Sequence, residues 1–282
     1  MIGFPRAVLA GAVDYAGLFP PASLSMGEVV ANYAAYRASP DVWALGRLVV
    51  PAARLAECLE AAGPFVHRGD PWRVSALVPD PASLGALAAF NAAHGERLLV
   101  DAAEAKAMEP QEVDALAAVA PRGVAVFVEL AVNDRLAECL ARIKAAGWHA
   151  KIRTGGVVPQ AIPPIDDVVR FMRACREAGV TFKATAGLHH PLRGEYPLTY
   201  APDAPRAVMH GYLNVFMAAG LIAQGAADAL VRGCLAATDV ALSPDRDGQE
   251  SFARVARSLL HGFGSCSFRE PLDELAPLGL ET

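Results

Sequence analysis

The sequence predicts an α/β protein of the (β/α)8 TIM-barrel type. It reads as a single domain over residues 1–282, with a helical insertion at about 202–260 before the last strand. Three observations predict this. Apolar strand-like runs alternate with alanine-rich helical runs, which argues for a parallel sheet. Eight such strand runs occur, the number a closed barrel needs, with an open doubly wound sheet as the second architecture. Finally, glycine repeatedly ends a helical run just before a strand, where a left-handed backbone turns the chain.

In chain order, the strands are read at GAVDYAGL (11–18), GRLVVP (46–51), RVSALVP (73–79), RLLVDA (97–102), VAVFVEL (124–130), HAKIRTG (149–155), TFKATAG (181–187) and FGSCSF (263–268). The helix-ending glycines are Gly95, Gly123, Gly147 and Gly179. LAECLEAAG (55–63) and LAECLARIKAAG (136–147) look like two copies of one helix end. From Pro202 to about Leu260 the pattern turns helical, in MHGYLNVFMAAGLIAQ, DALVRGCLAATDVAL and QESFARVARSLLHG.

Composition narrows the function classes. A chain of 282 residues that is 54% hydrophobic can bury a substantial core. A net charge of −5, with no basic run, offers no footprint for nucleic acid or an anionic membrane. There is no run of 18 apolar residues to span a bilayer. Five scattered cysteines without a CxxC pair suggest neither a disulfide framework nor a zinc ribbon, and a cytoplasmic location is expected. The apolar start is weak as an export signal because Asp14 follows closely. The expected partner is a small-molecule substrate, no cofactor is implied, and assembly as a homo-oligomer is left open.

The chain holds 21 arginines and four lysines, so each lysine merits attention. Strand side chains alternate between faces, which puts His149, Lys151 and Arg153 on one side and Ala150 and Ile152 on the other. TFKATAG repeats the arrangement with Thr181, Lys183 and Thr185, and Glu129 closes the preceding strand. In a barrel the apolar face packs on helices, leaving these charges inside at the carboxyl ends of adjacent strands. Glu129, Lys151 and Lys183 should therefore converge on one pocket; the alternative is a buried ion pair with a spare surface lysine. Lys106 and Lys144 sit in polar helical contexts and are expected to be solvated.

Two amines beside a carboxylate suit imine chemistry. A free lysine has a pKa of about 10.4, so a fraction on the order of 10⁻³ is neutral near pH 7. A nearby cation, either Lys183 or Arg153, together with partial desolvation would favour a neutral, nucleophilic Lys151. Glu129 or Asp101 could then move protons.

These segments resemble deoxyribose-phosphate aldolase and its class I aldolase relatives over roughly residues 95–190. In that family a fifth strand ends in glutamate, a sixth reads K-T-S-T-G and a seventh F-K-A-A-G-G. Here stand VFVEL around Glu129, K-I-R-T-G from Lys151 to Gly155, and F-K-A-T-A-G from Phe182 to Gly187. Gly264, Ser265, Cys266 and Ser267 echo an eighth-strand G-T-S-S. The resemblance implies a Schiff base at Lys151 with its pKa lowered by Lys183. It also implies substrate contacts at Thr154 and Gly155, and a phosphate held near Gly187 and the Gly264–Ser267 turn. Arg153 in place of a small polar residue, the long insertion and the lack of a clean strand-four acid depart from the family.

Other candidates lie on loops at the same end. GLHHPLRGEY offers His189, His190 and Arg193 for substrate contact; adjacent histidines point apart and make a poor metal pair, and no metal site is assigned. Asp14 and Tyr15 either reach the pocket from the opposite side or serve capping and packing. His210 and Asn214, four apart, read as a satisfied buried polar pair or part of a lid. The leading expectation is a lyase using a Lys151 imine on a small carbonyl compound, phosphorylated or carboxylated and sugar-like. Two alternatives are a non-covalent or metal-assisted lyase or hydrolase on the same barrel, and a non-catalytic sensor or partner subunit.

Overall fold

The computed structural model describes residues 3–239 and 246–280. Eight parallel strands close into a barrel: β1 (Val13–Tyr15), β2 (Leu45–Pro51), β3 (Trp72–Leu77), β4 (Leu98–Lys106), β5 (Ala125–Glu129), β6 (His149–Arg153), β7 (Phe182–Thr185) and, as its eighth stave, β10 (Leu260–Ser265). Between β7 and β10 a two-stranded antiparallel hairpin forms from β8 (Gly194–Pro197) and β9 (Arg206–Met209). Among the described residues no helix is long and apolar enough to cross a membrane.

The core lies between the strands and the surrounding helices. Val74, Val100, Val126, Ala150, Phe182 and Phe263 are fully buried on the outward faces of their strands. They meet apolar stripes such as Leu84 and Leu87 of helix Pro81–His94 and Val168 and Met172 of helix Ile165–Ala178. Helix starts follow local capping chemistry. Ser25 and Glu28 form a reciprocal capping box, and the Asp80 carboxylate accepts from the Ser83 N–H.

Two sequence expectations are corrected. Gly123, Gly147 and Gly179 are left-handed, with φ of +81°, +70° and +64°, but Gly95 is not left-handed and caps its helix with φ −60°. At Gly95 a β-carbon would lie 2.6 Å from the Asn91 carbonyl oxygen, so close approach explains that glycine. The second correction concerns the connection before the last strand. It opens with the β8–β9 hairpin, and only then follow helices Tyr212–Ala223, Asp228–Ala236 and Arg246–Arg257. The end of the expected helix DALVRGCLAATDVAL, from residue 240, falls outside the described residues. Helix Tyr212–Ala223 is buried along most of its length, with Tyr212 stacked on Phe263 of β10 at 5.2 Å, and thus belongs to the helical layer of the barrel.

One irregularity positions the site. The β3–β4 register runs Val74 to Val100 and then Ser75 to Ala102, so Asp101 is an extra residue, a β-bulge. The Asn91 side-chain amide holds both the N–H and the C=O of Val100 at this point, at 2.9 and 2.7 Å. Counted from outward-facing Val100, unbroken alternation through Asp101 would turn Ala103 inward; the bulge shifts that count by one and turns Glu104 into the barrel.

Candidate active site

Charged side chains from five strands meet inside the barrel. Lys151 on β6 donates to Glu104 on β4 and pairs with Glu129 on β5, both at 2.9 Å. Lys183 on β7 contacts the other oxygen of Glu104 at 2.7 Å and Asp14 of β1 at 2.5 Å. Parallel pairing sets Glu129, Lys151 and Lys183 at one level, because Glu129 is in register with Lys151 and Lys151 with Lys183. Ser75 donates to Glu104 at 2.9 Å, and the Arg47 backbone N–H donates to Asp14 at 2.6 Å. Arg153, half exposed at the rim, reaches Glu129 at 3.3 Å. The network thus sets Asp14, Glu104 and Glu129 against Lys151, Lys183 and Arg153, and among the described residues no buried side-chain polar atom lacks a partner.

The electrostatics follow from this pairing. Burial by itself would raise Glu104, but Lys151 and Lys183 outweigh it and hold the carboxyl well below the usual range. Glu129 is likewise lowered, because Lys151 and Arg153 overcome its desolvation. Lys183 is raised: burial opposes its charge, while Asp14 and Glu104 favour it more strongly. Lys183, expected as a cation beside Lys151, is thus itself ion-paired. Its charge is neutralised by two carboxylates, and Glu104 lies between the two amines.

A cavity of about 330 Å³ opens over Lys151 at the carboxyl ends of the strands. Lys151, Arg153, His189 and Glu104 supply its polar wall, and Phe19, Pro20, Val49, Leu77 and Val157 its apolar wall. Thr185, Gly264 and Cys266 complete the side formed by β7 and β10. This is the end where the barrel fold carries its chemistry.

The other sequence candidates separate clearly. Asp101 lies away from the cavity, gripped by Arg47 at 2.6 Å and by Arg73, and the strand-four acid in the network is Glu104 instead. Asp14 reaches the network through Lys183. Tyr15 faces the helices, accepting from Asn32 at 3.1 Å and packing edge-on to Tyr36. Thr154 is structural: its hydroxyl donates to the Ala186 carbonyl at 2.7 Å. Gly155 and Gly187 touch each other, leaving no space for a side chain on either. His190 stacks on Tyr196 at 3.5 Å and bonds Glu274 at 2.8 Å, outside the main cavity. Arg193 turns toward His210, 3.3 Å away.

Ser265 meets His189 at 3.4 Å, and Ser267 accepts from the Glu270 N–H at 3.1 Å; neither lines the lysine cavity. His210 bonds the Pro163 carbonyl, and Asn214 bonds Arg193, Cys234 and Ala237, so each is satisfied separately and not as a pair. Lys106 is exposed, and Lys144 donates to the Gly179 carbonyl at 2.7 Å. Glu104, Cys266 and Glu270 were not singled out from the sequence. For Glu104 the available signal was an acid flanked by alanines, AAEA, just after an apolar run.

Two histidines give the molecule a pH signature. Burial would lower His189, but Cys266 and Glu270 prevail and push it up to about 9. Burial and the neighbouring His149 push His261 down to about 4. His189 adds stability that is complete below its ordinary 6.5 and disappears as pH rises through about 9. His261 adds stability that is complete above 6.5 and disappears as pH falls through about 4. Urea unfolding across pH 4–9 should show a maximum near pH 6.5. The alkaline limb contributed by His189 is on the order of 3 kcal/mol. His189→Gln should flatten that limb relative to wild type; an unchanged limb would contradict the assignment.

Fold and site together define a (β/α)8 barrel with a lysine-bearing cavity at the carboxyl ends of the strands. No protein-family model matches the chain, and no curated protein matches it. Among solved structures, a D-threonine aldolase from Filomicrobium marinum is similar at 12% identity and a TM-score of 0.39, over 64% of this chain and 53% of that one. A nitroalkane oxidase from Streptomyces ansochromogenes follows at 14% identity and 0.34, over 66% of this chain and 61% of that one. An H351A mutant of D-threo-3-hydroxyaspartate dehydratase stands at 14% and 0.27, over 64% and 51%. The chain therefore spans half to three fifths of those proteins, and likeness of this degree says nothing about activity.

Proposed function

We propose that this barrel is an enzyme, a carbon–carbon lyase of the class I aldolase type that forms a Schiff base through Lys151 with a small carbonyl substrate. The observation that carries the proposal is the placement of Lys151. Lys151 borders a cavity of about 330 Å³, and its amine has two carboxylates at 2.9 Å to take and return a proton. The resemblance to deoxyribose-phosphate aldolase supports the same nucleophile.

In this scheme Lys151 yields a proton to Glu129 when a carbonyl displaces solvent from the cavity. The free amine adds to the carbonyl carbon, and Glu129 returns the proton to the departing hydroxyl, releasing water and leaving an iminium. The bond between the α and β carbons then breaks, its electron pair flowing into the iminium, while the β-hydroxyl gives its proton to the Glu129 carboxylate and becomes a carbonyl; Glu129 passes that proton to the enamine carbon, and water hydrolyses the new iminium to free Lys151. Arg153 and His189 bind the anionic or hydroxylated part of the substrate. Phe19, Pro20 and Val157 keep water from the carbinolamine.

The ion pairing of Lys151 favours a second reading on the same residues, in which the ammonium stays charged and stabilises an enolate without a covalent step. Borohydride reduction of the full-length protein with glyceraldehyde or pyruvate separates the two. The covalent scheme expects a mass increment on the Lys151 peptide, lost in Lys151→Met. Turnover without any adduct would assign the enolate scheme, and adducts confined to Lys106 and Lys144 would sink the covalent one.

A further inference from the structure

The five cysteines fall into two groups. Burial pushes the Cys58 thiol up to about 12 and Cys234 up to about 11, and it also raises Cys139 and Cys175. These four sit among apolar groups, and none borders the lysine cavity. Cys266 is buried as well but differs in its neighbours. It lies two residues beyond Gly264 at the end of β10 and lines the cavity beside Lys151.

Its Sγ is 3.8 Å from Nδ1 and 3.9 Å from Nε2 of His189, a buried imidazole that also borders the cavity. His189 Nδ1 is in turn 3.1 Å from Glu270 Oε2, and the Tyr200 hydroxyl donates to that same oxygen at 3.0 Å. The Tyr200 hydroxyl stands 3.5 Å from Sγ. A thiol, an imidazole and an orienting carboxylate are therefore assembled on one cavity wall, and the lysine chemistry uses no thiol. An imidazolium beside a cysteine stabilises the thiolate, which is the reactive form.

We propose that Cys266 is a peroxide-reactive thiol, a covalent-modification site on the cavity wall with His189 as its proton donor. The Cys266 thiolate attacks one peroxide oxygen, forming an S–O bond as the O–O bond breaks. Sulfur is oxidised to sulfenic acid and the peroxide is reduced. The leaving hydroxide takes the His189 imidazolium proton and departs as water, so hydrogen peroxide serves as the oxidant and no further reactant is needed. The added oxygen projects into space that any ligand of Lys151 must share. This inference stands apart from the lysine scheme, because it requires only the cavity and the thiol cluster.

The test is hydrogen peroxide titration of the reduced full-length protein with dimedone trapping and peptide mass mapping, the other four cysteines serving as internal controls. Cys266 should acquire dimedone at least about tenfold faster than any of them, by the selectivity expected of a cavity-lining thiol beside an imidazole over thiols in apolar surroundings. Urea-unfolded protein should label all five alike. His189→Gln and Glu270→Gln, each checked for folding by circular dichroism, should slow labelling of Cys266. Labelling spread evenly over the cysteines of the folded protein, or a Cys266 rate unchanged in both folded variants, would overturn the proposal.

Discussion

Replacing Glu104 with glutamine is expected to destabilise the barrel by about 3–5 kcal/mol, the range found when one partner of a buried ion pair is removed. The variant keeps the shape of the side chain but presents an amide to two ammonium groups. Lys151 would retain Glu129 and Lys183 would retain Asp14, each with a single carboxylate in place of two. Two buried cations would then share an interior whose effective dielectric is well below that of water. Urea denaturation reads the loss as a lowered midpoint at unchanged slope.

A double-mutant cycle gives this prediction its sharpest form. Lys183→Met alone strips Asp14 and one oxygen of Glu104 of their cation, but combined with Glu104→Gln it removes both ends of the pair. The double variant should therefore lose less than the sum of the single ones, with a coupling on the order of 1–3 kcal/mol. Additive losses, or a Glu104→Gln effect under about 1 kcal/mol, a size typical of exposed pairs, would show that solvent already screens the network.

Alanine at Gly187 is expected to be the next most damaging substitution, and alanine at Gly155 slightly less so. The two glycines pass back to back where the chain leaves β6 and β7: a β-carbon on either would lie 2.8 Å from the α-carbon of the other. Both neighbours are backbone, so neither can yield as a flexible side chain would. Overpacking of this kind costs about 1–3 kcal/mol. Gly187 also has φ +75°, and an L residue there adds roughly 1–2 kcal/mol. Because β6 and β7 carry Lys151 and Lys183, the same splaying should lower borohydride trapping at Lys151 along with the unfolding midpoint. A Gly187→Ala protein as stable as wild type would mean that the two loops part without strain.

The architecture was legible because it rests on local and periodic features. Eight apolar runs, spaced by helices with recognisable caps, admit few topologies, and the closed barrel is the one observed. Lys151, Lys183 and Glu129 were legible for the same reason: alternation along β5, β6 and β7 is unbroken, so facing can be counted residue by residue. Arg153, Gly264 and His189 border the cavity as the loop and strand-end reading expected. Asp101 misled because alternation fails at that residue. A bulge is a property of two paired strands, and its effect on Glu104, three residues later, cannot be counted from one strand alone.

The serine-flanked turn after β10 misled in a comparable way, since a resemblance drew attention to Ser265 and Ser267 while the side chain between them borders the cavity. The sequence by itself thus determined the parallel barrel, the inward lysines and the end of the barrel at which they gather. Periodicity and capping act over a few residues, and these features need nothing longer in range. Only the tertiary structure decided that Glu104 stands between the two amines, that Lys183 is neutralised by Asp14, and that Cys266 meets His189. Each of those contacts joins residues 47 to 169 positions apart or across a chain reversal, where distance is set by barrel closure and not by the local pattern.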